Sequence, residues 1–570
     1  MNVFRCIQGR MDGRRIRRLL FVCSIFAMSC GGSKAEDPRD GGIRSDADAD
    51  TDVPSEPCEA LPVPTGTVTP KWTYLLPSRD CGGHTDCHYG SPTIANVDGE
   101  VGTKEVIAVS NLGGVYALRA DGTELWHKDV ALAMQQPAGS QVISASAAVA
   151  DLDGDGAVEI VVATGGNDKT QCQRGSVIVY SHAGDLKPGW PQYTREAGIE
   201  PADCPEAIFG APALGDLDGD GDLEITAASF DKRLYAWHHD GSALLGFPPQ
   251  SAYDAAGDDN HFRDTVWSAP VLGDLNGDRQ LDIVIGTDEG NLESNPVGGG
   301  SWHCPYALPT GWTTGYCGGS VYAFDAQGQR LPGFPRYVLD TVFATPALAD
   351  MDDDGDLEIF HGVGGFYYDT SSDKPTDGFR IYGRDHQGNE LPGWEGGKIT
   401  IGTTQAGTAI GDIAGDSAPE IIALATERTE DNSRVGHVYA YHLDGSLVPG
   451  FPIVARDATG KSSGFHVGKA PVLVDYDCDK KMEIMIPVSW TVAIIDGDAT
   501  QISSTSSTDG KPSYVPGLLL NTPSVGDLDG DGIAELVVSN SKVSTFELPV
   551  KHPHADWPTL KQNARRTGRR

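Results

Sequence analysis

The chain has 570 residues, 39% of them apolar and 8% aromatic, which supports a large packed core and excludes a disordered protein. Its formal charge of −37 argues against a nucleic-acid partner and leaves the acid either solvated or gathered into cation sites. With 71 Gly and 36 Pro but only 7 Met, the composition favours many short strands joined by tight turns.

At the N-terminus, Arg14, Arg15, Arg17 and Arg18 precede an apolar run from Leu19 to Met28. A spanning helix needs about 20 apolar residues, so the run is too short and reads as the core of a secretory signal over residues 1–30. The "AMSCGG" that follows resembles a bacterial lipoprotein lipobox. That resemblance implies lipidation at Cys30 and export to the outer membrane, periplasm or cell surface, with the lipid as the only membrane contact. Ordinary cleavage and a retained anchor are the alternatives. Residues 31–70 are rich in Asp, Pro, Gly and Thr without periodicity, and are expected to form a disordered tether.

From there one unit recurs across residues 71–550. "AVADLDGDGAVEIVVA" starts at Ala148 and "ALGDLDGDGDLEI" at Ala213, followed by copies from Val271, Ala347, Ala409, Val472 and Ser524. A weaker copy begins at Thr93. Each acidic stretch leads into an apolar run of strand type. A second run then ends in Asp-Gly or Gln-Gly, as in "HVYAYHLDG", and a closing "PGWP", "LGFP" or "PGFP" comes next. One repeat is therefore about four short strands, which cannot bury both faces alone. Radial stacking solves that, so the expected fold is all-β: a β-propeller of four-stranded antiparallel blades, seven or eight in number. Two stretches compete to close the ring, "KWTYLLP" at Lys71 and the tail of residues 551–570 with its "DWP".

The recurring pattern resembles FG-GAP (VCBS-type) repeats, the blades of the integrin α-chain N-terminal propeller. The copy from Gly210 even retains the Gly-Ala-Pro. Like charges this close repel, and a bound cation answers why they persist. In the loop at Asp216 the first, third, fifth and ninth positions are Asp216, Asp218, Asp220 and Glu224. Calcium takes about six to eight oxygens, and alternating carboxylates can wrap it. Gly219 and Gly221 permit the positive φ that a tight wrap needs. The resemblance implies a backbone carbonyl at the seventh position, Asp222. An EF-hand is excluded because its glutamate stands at position twelve between helices.

The same spacing gives Asp151, Asp153, Asp155 and Glu159, and then Asp274, Asn276, Asp278 and Asp282. It also gives Asp350, Asp352, Asp354 and Glu358, followed by Asp475, Asp477, Asp479 and Glu483, and finally Asp527, Asp529, Asp531 and Glu535. Two copies are expected to bind weakly. Ala414 interrupts Asp412, Asp416 and Glu420, and the first copy offers Asn96, Asp98 and Glu100 with Lys104 at the ninth position and Glu105 one later. Several Ca²⁺ ions are thus the expected cofactor. The bland reading is that Asp-Gly loops are simply good turns.

Strand parity puts the acid loops and the Asp-Gly hairpins on one face and the long insertions on the other. Trp267, Trp302, Tyr306, Trp312, Tyr316 and Tyr367 would crowd the insertion face, as a rim for a glycan or protein, or as packing for the insertions. In an exported chain the cysteines suggest disulfides Cys81–Cys87, Cys172–Cys204 and Cys304–Cys317. "CGGHTDCH" also has the look of a zinc knuckle. Cys58 and Cys478 remain, and their pairing would join the tether to the acid-loop face. No nucleophile elbow, HExxH or P-loop occurs, so no catalytic residue is assigned. The expected function is a non-enzymatic, calcium-stiffened adhesion or ligand-binding module. A polysaccharide lyase or a quinoprotein is the alternative, the latter through "VYALRADGTELW".

Overall fold

In each repeat a short apolar triplet, such as Ala213–Gly215, runs into the acid loop and returns as a longer strand, Glu224–Ser229, that is buried throughout. Uninterrupted apolar runs of this kind suit strands covered on both faces, here by the sheets on either side. The third strand, Arg233–Trp237, ends in a turn in which Gly241 takes φ +82° and donates its N–H to the His238 carbonyl. In the computed structural model the residues described are 56–77, 90–138, 141–165, 175–194, 207–247, 266–288, 318–338, 340–364, 379–465, 469–506, 508–517 and 521–563.

The described strands form eight sheets, antiparallel throughout except for one pair in one of them. The first strands are Thr93–Ala95, Ala148–Ala150, Ala213–Gly215, Val271–Gly273, Ala347–Ala349, Ala409–Gly411, Val472–Val474 and Ser524–Gly526. Each lies against the next, and the last lies against the first, so a ring of eight blades closes. They are numbered one to eight below in that order. Blade three has three strands among the described residues, and an isolated bridge from Trp237 to Ala243 stands where the fourth begins. Among the described residues helix is confined to one turn, Val130–Ala133, capped by the Asp129 carboxylate.

Closure comes from the N-terminal side. Trp72–Leu75 pairs antiparallel with Lys542–Lys551 and supplies the fourth strand of blade eight. Two expectations need correction here. The end of the tether is not free: Glu59–Ala60 adds to the Lys542–Lys551 strand, and Gly66–Val68 runs parallel to Pro512–Tyr514 in blade seven. A disulfide from Cys58 to Cys478 fixes this segment to the acid loop of blade seven, with Cα atoms 5.6 Å apart. Neither short strand has an apolar periodicity to announce it, because each is recruited by an open sheet edge.

The tail does not close the ring; it enters the axis. Asp475 donates its N–H to the His554 carbonyl, Leu473 and Trp557 exchange backbone hydrogen bonds, and Val525 donates to the Pro558 carbonyl. Further along, the Lys561 ammonium donates to the carbonyls of Ala211 and Pro270 in blades three and four. First strands run toward the acid loops, so these partners order the tail from the acid-loop face toward the opposite one. Trp557 and Lys561 are both buried.

Blades are stapled to one another by tryptophans within or just before the fourth strand, two of them in "PGW". The indole N–H groups of Trp72, Trp126, Trp190 and Trp394 donate to the carbonyls of Ala120, His182, His239 and Leu443. Each acceptor belongs to the hairpin of the following blade. The glycine before the ring is needed for this approach: a Cβ on Gly189 would lie 1.9 Å from the Asp240 carbonyl oxygen.

Candidate metal loops

All eight loops share one hydrogen-bonded frame. The acid that opens the second strand accepts the N–H of the loop's second residue: Glu159 from Leu152 at 2.9 Å, Glu224 from Leu217 at 2.8 Å, Asp282 from Leu275 at 3.1 Å and Glu358 from Met351 at 2.8 Å. Glu420, Glu483 and Glu535 do the same for Ile413, Tyr476 and Leu528. The first acid receives the sixth residue's N–H, as Asp216 does from Gly221 at 3.1 Å, and the fifth receives the seventh's, as Asp220 does from Asp222 at 3.0 Å. One oxygen of the closing acid is thus held by backbone, and its other oxygen is left for something else.

The fourth position of most loops requires left-handed backbone: Gly219 at φ +79°, Gly530 at +74°, and Cys478 at +65° in the disulfide-bearing loop. Three side-chain oxygens from each of several loops approach within 4.8 Å of one another, including Asp151–Asp153–Glu159, Asp216–Asp218–Glu224, Asp350–Asp352–Glu358 and Asp475–Asp477–Glu483. These clusters of acid can hold a metal ion.

Burial raises the closing acids well above the usual carboxylate range. Glu224, Asp282, Glu358 and Glu535 are pushed to about 7 and Glu483 to about 9, chiefly by desolvation. The blade-seven loop also contains two buried oxygens with no hydrogen-bond partner, Oδ1 of Asp475 and Oε1 of Glu483. Orphaned buried acceptors among like charges are costly, and hard oxygen donors in this number fit a hard divalent cation.

What faces the free oxygen differs between blades. In blades three and six it is a histidine: His238 lies 3.1 Å from Glu224 and His442 lies 3.1 Å from Glu420. His239 and His386 pair with the seventh-position acids Asp222 and Asp356 at 3.1 and 3.0 Å. In blades two and eight the partner is a lysine. Lys187 approaches Asp153 and Glu159 at 2.8 and 2.9 Å, and Lys71 approaches Asp529 and Glu535 at 2.8 and 2.7 Å. Spacing alone does not reveal these partners, which come from the hairpin beside the loop and from the N-terminal strand.

The first copy is regular once counted differently. Glu105 accepts from Val97 at 2.8 Å, as closing acids do elsewhere, so its loop is one residue longer and Lys104 is not in the closing position. In blade six Asp412 and Asp416 keep their backbone contacts, and Ala414 leaves the third position without a carboxylate.

On the opposite face Trp267 packs at 4.7 Å, centroid to centroid, from both Phe209 and Phe230, and at 5.4 Å from Phe343. This joins blades three to five in an aromatic cluster, so Trp267 is engaged in packing. Cys30, Trp302, Tyr306, Trp312, Tyr316, Tyr367 and the pairs Cys81–Cys87, Cys172–Cys204 and Cys304–Cys317 lie outside the described residues. Among the described residues no helix is long and apolar enough to cross a membrane.

Eight four-stranded-type blades with one acid loop per blade define a β-propeller of repeated acidic loops. Residues 216–285 match the family model described as FG-GAP-like repeat, from the acid loop of blade three into the second strand of blade four. The chain is thus a β-propeller that contains FG-GAP-like repeat sequence over residues 216–285. No curated protein sequence matches it. Similar solved structures include the V. cholerae biofilm matrix protein Bap1, at 13% identity over 89% of this chain and 96% of that one, with a TM-score of 0.39. BamB from Moraxella catarrhalis is 12% identical over 80% and 94%, with a TM-score of 0.43. The exotype rhamnogalacturonan lyase YesX is 15% identical over 86% and 76%, with a TM-score of 0.47. Likeness at this level says nothing about what this chain does.

Proposed function

We propose that the chain is an exported, calcium-stiffened propeller that binds a surface glycan or protein and does no chemistry. The observation that carries this reading is the repeated loop frame. Backbone holds one oxygen of each closing acid and leaves the other free of it, and in blade seven that second oxygen is buried with no hydrogen-bond partner. In blades three, four, five and seven the ligands would be the acids at the first, third, fifth and ninth positions, with Asn276 at the third position of blade four. Calcium supplies charge neutralisation there, converting self-repelling turns into rigid corners between blades. The ligand would sit on the insertion face, which is free of the acid loops.

Calorimetric melting of the whole chain with and without EGTA, together with metal analysis, tests the calcium part. A clear fall in melting temperature and several calcium ions per chain are expected; an unchanged melt rejects it. A glycan and protein array tests the binding part. Uronic-acid oligosaccharides give no rise in 235 nm absorbance if the propeller only binds, and a steady rise assigns it to the lyases.

A further inference from the structure

We infer that two of the eight loops, those of blades two and eight, carry no metal because a lysine of the same chain occupies the cation position. The inference rests on the calcium reading of the other loops and departs from it at these two.

Lys187 stands where other blades are apolar. Its N–H donates to the Val179 carbonyl in a contact that Leu244, Leu331, Leu391, Val448 and Ile502 repeat in blades three to seven. Leu244, Leu391 and Val448 are buried there. A lysine in this core position has one polar exit, and it takes it: the ammonium reaches Oδ2 of Asp153 and Oε1 of Glu159. These are the third and ninth positions. The glutamate oxygen it contacts is not the one that accepts from Leu152, which is Oε2.

Lys71 reaches the same two positions of blade eight from an unrelated place in the chain. It lies just before the closing strand and bonds to Oδ2 of Asp529 and Oε1 of Glu535. Again Oε2 of the glutamate is taken by backbone, here Leu528. Two lysines with different origins thus converge on one pair of oxygens. In blade seven the corresponding Oε1, that of Glu483, has no partner. An ammonium and a divalent ion cannot both sit against the same carboxylates, because the second cation would meet the charge of the first at short range. The lysine supplies one positive charge permanently, and no ion has to be captured.

The placement has a consequence for the ring. Blade eight is the seam, closed by Trp72–Leu75 immediately after Lys71. An internal cation there locks the seam to the acid loop whatever the calcium concentration.

The test is metal content of the whole chain at saturating calcium, with Lys187→Met and Lys71→Met as variants. Methionine keeps an unbranched apolar stem without the charge. Each variant is expected to gain one calcium per chain over the unmodified protein, and the double variant two. Unchanged content in a folded Lys187→Met chain overturns the inference. Hydrogen exchange of the unmodified chain, with and without EGTA, covers the case in which a variant fails to fold. Peptides over 151–159 and 527–535 should keep their exchange rates while those over 216–224, 274–282, 350–358 and 475–483 accelerate severalfold. Acceleration at all six overturns the inference. A chain that holds no calcium and whose variants gain none overturns this inference and the calcium reading together, whereas calcium in all six loops overturns this one alone.

Discussion

At the scale of the residue, the closing acids decide how the protein responds to pH. Glu483, pushed to about 9 by burial, binds its proton more tightly folded than unfolded, and Glu224, Asp282, Glu358 and Glu535 at about 7 do likewise. Such groups favour the folded state below the ordinary carboxylate pKa, and that contribution is lost as pH rises through the folded value. His361, buried and held well below its usual range, acts in the opposite sense below about pH 6.5. Lys469, lowered to about 8 by burial, changes nothing between pH 5 and 7. Five acids outweigh one histidine, so in EGTA the melting temperature should fall from pH 5 to pH 7. With calcium the order should reverse, since the metal needs the carboxylates ionised. Scanning calorimetry at the two pH values checks both signs. Glu483→Gln should stabilise the metal-free chain at pH 7 by about 1–3 kcal/mol, because folding no longer has to protonate a buried carboxyl that is ionised in the unfolded chain, and remove one calcium. A destabilised Glu483→Gln chain in EGTA would contradict the account.

At the scale of the element, much was legible because each repeat states its strands twice, by apolar run and by punctuation. "EITAAS" and "RLYAW" are read correctly as adjacent strands because the Asp-Gly turn and the acid loop bracket them. The acids at positions one, three and nine come together for the same reason, since their register is local. Partners from elsewhere in the chain were not legible. Nothing near Asp529 in sequence points to Lys71, and the rule that the ninth residue closes the loop misplaced Glu105 by one. The "PGW" signal marked the end of a unit but concealed its role, which is to carry an indole to the next blade. Trp394 shows what that is worth. It is fully buried, and its N–H donates to the Leu443 carbonyl at 2.6 Å. Trp394→Phe, the residue type found at this position in blades three, four and six, should cost about 0.5–1.5 kcal/mol for the lost hydrogen bond. Trp394→Ala should cost about 3–5 kcal/mol because it also leaves a cavity between blades five and six. Urea unfolding in which Trp394→Phe costs nothing would show that packing alone, and not the hydrogen bond, joins these blades.

At the scale of the whole molecule, a ring of eight blades leaves an axial space that its first strands cannot fill, because they end in small residues such as Gly273, Ala349 and Gly411. The C-terminal tail fills it. Trp557 pairs with Leu473, Asp556 receives the Asp412 N–H at 2.9 Å, Thr559 meets Ser524 at 2.6 Å, and Lys561 caps carbonyls of blades three and four. One segment therefore touches blades three, four, six, seven and eight, and ties together parts of the ring that do not otherwise meet. Five blades held by one plug should lose cooperativity when it is damaged, more than a single surface strand would cost. Trp557→Ala is expected to destabilise by about 3–5 kcal/mol through the cavity it leaves. Removing everything after Pro553 should do more and broaden the transition, since blades three and four would no longer be tied to seven and eight. The fourth strand of blade eight would be untouched by that deletion, so the ring would remain shut. A truncated chain that melts as sharply and as late as the full one would mean that the axis needs no plug and that the blade-to-blade staples carry the ring alone.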